Sequence, residues 1–187
     1  AGEMTYETAL GLLWQGFFVN LPKDLQGPLG DARFAVHDWL APQLPGVAGL
    51  PVYDGMRALM AGLPDADDLQ SALLLAAAPA ALLPALLRQR QGQQPLRPEP
   101  GLGHAADMLR MLTGQEADPA RVAGLDTYLV TVIDHGLNAS TFAARVVAST
   151  EAGLASSVLA ALGALKGPLH GGAPGPVLDM IDAIGRS

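Results

Sequence analysis

The chain has 187 residues, half of them hydrophobic, and a formal charge of −7 at neutral pH, long enough to enclose one domain with a sizeable core. It has no cysteine, which excludes disulfides, thiolate nucleophiles and cysteine metal sites, and the negative charge, with only two lysines, Lys23 and Lys166, and no basic stripe, argues against a nucleic-acid partner, whose phosphates need clustered basic side chains. A mean hydropathy of +0.27 is high for a freestanding soluble domain, so part of the apolar surplus is expected to lie against a partner subunit or a second domain.

Apolar residues recur at helical spacing and no alternation extends over a strand length, so the chain reads as all-α. Thr5 can cap a short opening helix in which Leu10, Leu13 and Trp14 share a face, with Gly16 as its stop. Residues 21–30, which include Pro22, Gly27, Pro28 and Gly30, read as a turn, and residues 32–40 as a helix followed by a loop ending near Pro51. Helices are expected over 52–61 and 67–75, with Asp65 or Asp67 as caps. Pro79 and Pro84 each remove a backbone donor, so residues 72–90 should kink or divide. The apolar stretch 72–87 falls short of the roughly 18 to 20 residues that cross a bilayer; a buried, interrupted helix is expected and no membrane partner.

The chain does not start with basic residues before an apolar run, so no secretory signal is visible and a cytoplasmic location is expected. Residues 91–101 form the clearest exposed loop, although not necessarily a domain boundary. Asp118 before Pro119 is a helix start, and that helix should continue to about residue 133. Ser140 or Thr141 can cap a helix running to about residue 148. Another helix is expected over 152–165, and a last one after Gly175 with Pro176 in its first turn. With no internal repeat or strong linker, residues 1–187 read as one helical unit.

Two histidines sit in turn-forming segments, Asp134-His135-Gly136-Leu137-Asn138-Ala139-Ser140-Thr141-Phe142 and Gly167-Pro168-Leu169-His170-Gly171-Gly172-Ala173. An isolated histidine in such a turn is more often a structural one bonded to the backbone. Here the two segments occur in order with Tyr6-Glu7-Thr8, Leu12-Leu13-Trp14, Gly101-Leu102-Gly103-His104-Ala105-Ala106-Asp107 and Met111-Leu112-Thr113-Gly114. Together they resemble the citrate synthase family over nearly the whole chain. The resemblance implies most of the large helical domain of an acyltransferase that condenses acetyl-CoA with oxaloacetate in the tricarboxylic acid cycle. It implies acetyl-CoA as cosubstrate, no tightly bound cofactor, no metal and a homodimer paired through large-domain helices.

By the same resemblance His170 is the catalytic residue, donating a hydrogen bond to the thioester carbonyl as the enolate forms. A preorganised donor at such an oxyanion is worth roughly 3 to 4 kcal/mol. His135 and Asn138 are implied to bind oxaloacetate, and Ser140 to support the catalytic imidazole. Their competing structural roles are a helix C-terminal cap for His135 and helix capping for Asn138 and Ser140. His37 and His104 have no ligand partner at metal spacing and read as structural.

Citrate synthases carry a small domain with a third active-site histidine, a catalytic aspartate and carboxylate-binding arginines. That domain is expected to be absent from these residues, leaving this segment alone inactive. Pro174-Gly175 stands where many members have asparagine and an acidic residue, which leaves the acyl-CoA preference open: a 2-methylcitrate synthase using propionyl-CoA is one alternative, a noncatalytic truncated paralogue or assembly module another.

Overall fold

The computed structural model describes residues 4–134, 136–171 and 174–185, and among these the chain is helical without strands. Helix α1, Tyr6–Trp14, starts where the Thr5 hydroxyl accepts from Thr8 N, and Gly16 follows it at φ +87°. Helix α2, Gln26–Leu40, is longer than residues 32–40 alone suggested. Gly27 and Pro28 fall in its first turn, where a missing amide breaks no intrahelical bond, and the Asp24 carboxylate accepts from Gln26 N at 2.9 Å. Gly30 is required by packing: a Cβ there would lie 2.0 Å from the Pro100 carbonyl oxygen. The expected loop after α2 instead holds a 3-10 turn, Ala41–Gln43, and the short helix α3, Leu44–Val47, with Pro42 and Pro45 in first-turn positions.

Helix α4, Val52–Met60, follows the expected span. Helix α5, Leu69–Arg90, neither stops nor divides at Pro79 or Pro84. Asp68, not Asp65 or Asp67, is its cap, accepting from Ser71 N at 2.7 Å. Buried Leu73, Leu75, Leu82 and Leu86 contribute about 1.5–3 kcal/mol each, which outweighs roughly 3 kcal/mol per interior proline. With 22 residues, α5 is long and apolar enough to cross a membrane, but most of it is enclosed by the other helices, as befits the central helix of a core.

Two apolar clusters flank α5. One joins Val36 and Leu40 of α2, Met56 and Met60 of α4, Ala78 and Leu82 of α5, and Ala155 beyond them. The other joins Leu10, Leu25, Leu29 and Ala32 to Leu73 and Ala77. Residues 91–103 form the expected loop, held by Arg97, which donates to Asp38 at 3.0 Å and lies 4.3 Å over the Phe34 ring. Helix α6, His104–Thr113, ends at Gly114, and α7, Pro119–Val132, starts under Asp118 as its sequence indicates. Helices α8, Ala139–Ala148, and α9, Leu154–Leu165, pack together as a hairpin. Asp65 caps α9 from across the chain, accepting from Ala155 N at 2.9 Å. Helix α10, Pro174–Gly185, begins two residues before Pro176.

His104 is a core residue, as its sequence setting suggests. Its amide donates to Glu7 Oε1 at 2.6 Å and its ring centroid lies 4.5 Å from that of Tyr6. Burial, reinforced by the Arg33 charge, pushes the His104 pKa down to about 3. The unfolded chain therefore takes up a proton near pH 6.5 that the folded chain refuses until about pH 3. Between those values stability falls as pH falls, by up to about 1.4 kcal/mol per pH unit from this group. Urea unfolding from pH 7 to pH 4 is expected to show that loss, and His104→Gln to flatten it; an unchanged slope in the variant would assign the acid sensitivity to other groups.

Candidate active site

The loop after α7 and the turn after α9 meet at the N-terminus of α8. Asn138, rather than Ser140 or Thr141, caps that helix: its Oδ1 accepts from Thr141 N at 2.9 Å. The Ser140 hydroxyl lies 2.7 Å from Asn138 Oδ1 and 2.9 Å from His170 Nε2. Asn138, Ser140 and His170 thus form one hydrogen-bonded chain of half-buried groups. His135 lies outside the described residues.

Serine has one proton for these two neighbours, and its placement sets the imidazole's role. Donated to His170 Nε2, it gives a neutral ring whose proton is on Nδ1, a donor available to a developing oxyanion, but leaves Ser140 Oγ and Asn138 Oδ1 facing each other 2.7 Å apart with no proton between them. Donated to Asn138, it makes Nε2–H the donor to Ser140, and Nδ1 can then donate only from a protonated ring. Either arrangement fixes the ring plane.

The His170 turn hangs from the end of α9. Gly167 N donates to Ala164 O at 3.2 Å, His170 N to Gly167 O at 3.0 Å and Gly171 N to Leu165 O at 3.0 Å. A Cβ on Gly171 would fall 2.2 Å from Leu165 O, so glycine there lets the turn fold back onto the helix. Tyr53 and Asp54 of α4 touch the end of α9: Tyr53 donates to Leu162 O at 2.7 Å and Lys166 to Asp54 at 2.6 Å. Nothing in the sequence pairs these residues except the position of Lys166, one residue before the His170 turn.

Among the described residues no group of histidine and carboxylate side chains is arranged to hold a metal ion. A surface cavity of about 560 Å³ lies against α1 and residues 15–25, and neither His170 nor Ser140 lines it. The active-site reading therefore stands on the hydrogen-bonded chain.

The protein-family profile described as "Citrate synthase, C-terminal domain" matches residues 1–187. A 2-methylcitrate synthase of Mycobacterium tuberculosis is 36% identical over 97% of this chain and 49% of its own length. The crystal structure of citrate synthase from Thermotoga maritima superposes with a TM-score of 0.81 at 30% identity, over 98% of this chain and 51% of that one. Citrate synthase from Thermoplasma acidophilum, in ternary complex with carboxymethyl coenzyme A and oxaloacetate, superposes with a TM-score of 0.73 at 25% identity, over 98% of this chain and 51% of that one. This all-α chain belongs to the citrate synthase family. It spans about half the length of these relatives.

Proposed function

We propose that this chain is most of the large helical domain of an enzyme that condenses acetyl-CoA with oxaloacetate, giving citrate and CoA. The observation that carries the proposal is the His170 imidazole held by Ser140 at the junction of α8 and α9, in a chain matched to the family from end to end. A base removes a proton from the thioester methyl group, and negative charge develops on the carbonyl oxygen. His170 donates to that oxygen. The enolate carbon then bonds to the keto carbon of oxaloacetate, whose carbonyl oxygen takes up a proton, and water cleaves the resulting thioester to release CoA. His135 and Asn138 hold the keto acid, with Asn138 continuing to cap α8.

The base and the arginines that grip substrate carboxylates are assigned to the remainder that full-length relatives have. Residues 1–187 alone are then expected to be inactive, and the location to be cytoplasmic. Tyr128 and Val132 on α7 and Phe142 and Val146 on α8 are exposed large apolar residues; they support pairing of two copies through these helices.

A specific observation favours a second reading: the relative aligned over 97% of the chain is a 2-methylcitrate synthase, which points to propionyl-CoA. One methylene in an apolar pocket changes specificity by about 10- to 200-fold. The full-length protein, given oxaloacetate and either acyl-CoA, is expected to release CoA thiol with at least a tenfold higher kcat/KM for acetyl-CoA. The reverse preference would make it a 2-methylcitrate synthase, and no release with either would sink both readings in favour of a noncatalytic paralogue.

A further inference from the structure

His170 is held on two sides: Ser140 fixes the ring tip, and the last turn of α9 fixes the backbone. We propose that Tyr53 and Asp54 of α4 are positioning residues for His170, acting through that last turn; the inference rests on the catalytic reading of His170 given above.

Leu162 O already accepts from Lys166 N at 3.1 Å, so the Tyr53 hydroxyl, 2.7 Å away, is a second donor to a satisfied carbonyl. Its bond is therefore dispensable for satisfying the helix, and what it adds is a fixed distance between α4 and the end of α9. Burial raises the pKa of the Tyr53 hydroxyl, which keeps it a donor across the working pH range. Asp54 adds a second tie, to Lys166 at 2.6 Å, and Arg57 Nη1 stands 3.7 Å from the same carboxylate oxygen. Leu162 and Lys166 are one turn apart, so two contacts from adjacent α4 residues set both the rotation and the height of that turn. The next ties in the chain are those of the turn itself, Gly167 N to Ala164 O and Gly171 N to Leu165 O. A displacement of α9 relative to α4 is thus passed to His170 through these backbone bonds.

A misplacement of about 1 Å in a catalytic group can cost 10²-fold in rate. Tyr53→Phe keeps the ring and removes only the donor. In the full-length protein it is expected to lower kcat about tenfold while KM for oxaloacetate stays within twofold. Side-chain nitrogen NMR of the imidazoles supplies a readout that needs no turnover: the His170 signals should shift in Tyr53→Phe while those of His104 stay in place. If His104 moves as well, the variant has disturbed the whole fold, and Asp54→Ala takes its place with the same expectation. Unmoved His170 signals in the variant that leaves His104 in place would overturn the proposal. If the wild-type protein has no activity with either acyl-CoA, the catalytic reading fails, while the imidazole signals still decide whether α4 positions His170.

Discussion

His170→Ala in the full-length protein is expected to lower kcat by about 10²–10³-fold, the cost of removing one preorganised oxyanion donor, with KM for oxaloacetate changed much less. The ring is half-buried and its Nε2 lies 2.9 Å from the Ser140 hydroxyl. Its loss leaves the Ser140 hydroxyl able to donate to Asn138 Oδ1, 2.7 Å away, so no polar group is stranded and the fold should persist. Near-UV circular dichroism of the variant should overlay that of the wild type. Ser140→Ala should give a smaller loss, about tenfold, because the imidazole remains but can turn out of line. The order matters: a Ser140 variant more impaired than the His170 variant would mean that the hydroxyl itself meets the substrate. Unchanged turnover in His170→Ala would remove His170 from the mechanism altogether.

Features set by neighbours in the sequence were legible, and those set by distant neighbours were not. Thr5, Asp118 with Pro119, and Gly16 act within one turn of their own position, and their helix ends fall where expected. Asp65 has the right chemistry for a cap but serves α9, 90 residues away, a choice made by tertiary packing. Pro28, Pro79 and Pro84 argue locally against helix, and two separate facts overrule them: Pro28 sits in a first turn, while the other two lie in a helix whose leucines are enclosed on several sides. The candidate site divides in the same way. The two turn segments mark the place of His170, Ser140 and Asn138, and the structure brings these three together. Asn138 rather than Ser140 or Thr141 is the cap because the backbone is still extended at Asn138 and becomes helical at Ala139, which puts Ser140 and Thr141 inside the first turn. Tyr53 stands among apolar residues of an ordinary amphipathic helix, and only the fold shows that its hydroxyl reaches the end of α9.

The largest effect on stability is expected from Asp107→Ala, because Asp107 and Arg33 are paired with neither side chain exposed to solvent. Arg33 Nε donates to Asp107 Oδ2 at 2.9 Å and its Nη2 to Leu102 O at 2.7 Å. The other carboxylate oxygen accepts from Arg110 Nη2 at 2.8 Å, and Glu99 N approaches both oxygens at 3.2 Å. One carboxylate thus joins α2, α6 and the loop that crosses between them. Alanine would leave a guanidinium buried without its counter-charge and an amide without its acceptor, a change that costs about 3–5 kcal/mol. Against a total stability of about 5–15 kcal/mol for a domain, the variant should be marginal at room temperature, with a urea midpoint far below that of the wild type. Replacing both partners, as in Arg33→Met with Asp107→Leu, should recover much of the loss, since no charge is then left unpaired. None of these groups touches His170 or Ser140. Asp107→Asn, which keeps the shape and most of the acceptors, should therefore lower stability while turnover per folded molecule stays unchanged. A loss below about 1 kcal/mol in Asp107→Ala would mean that water reaches the pair, and the buried network could not then be what fastens residues 99–107 to α2.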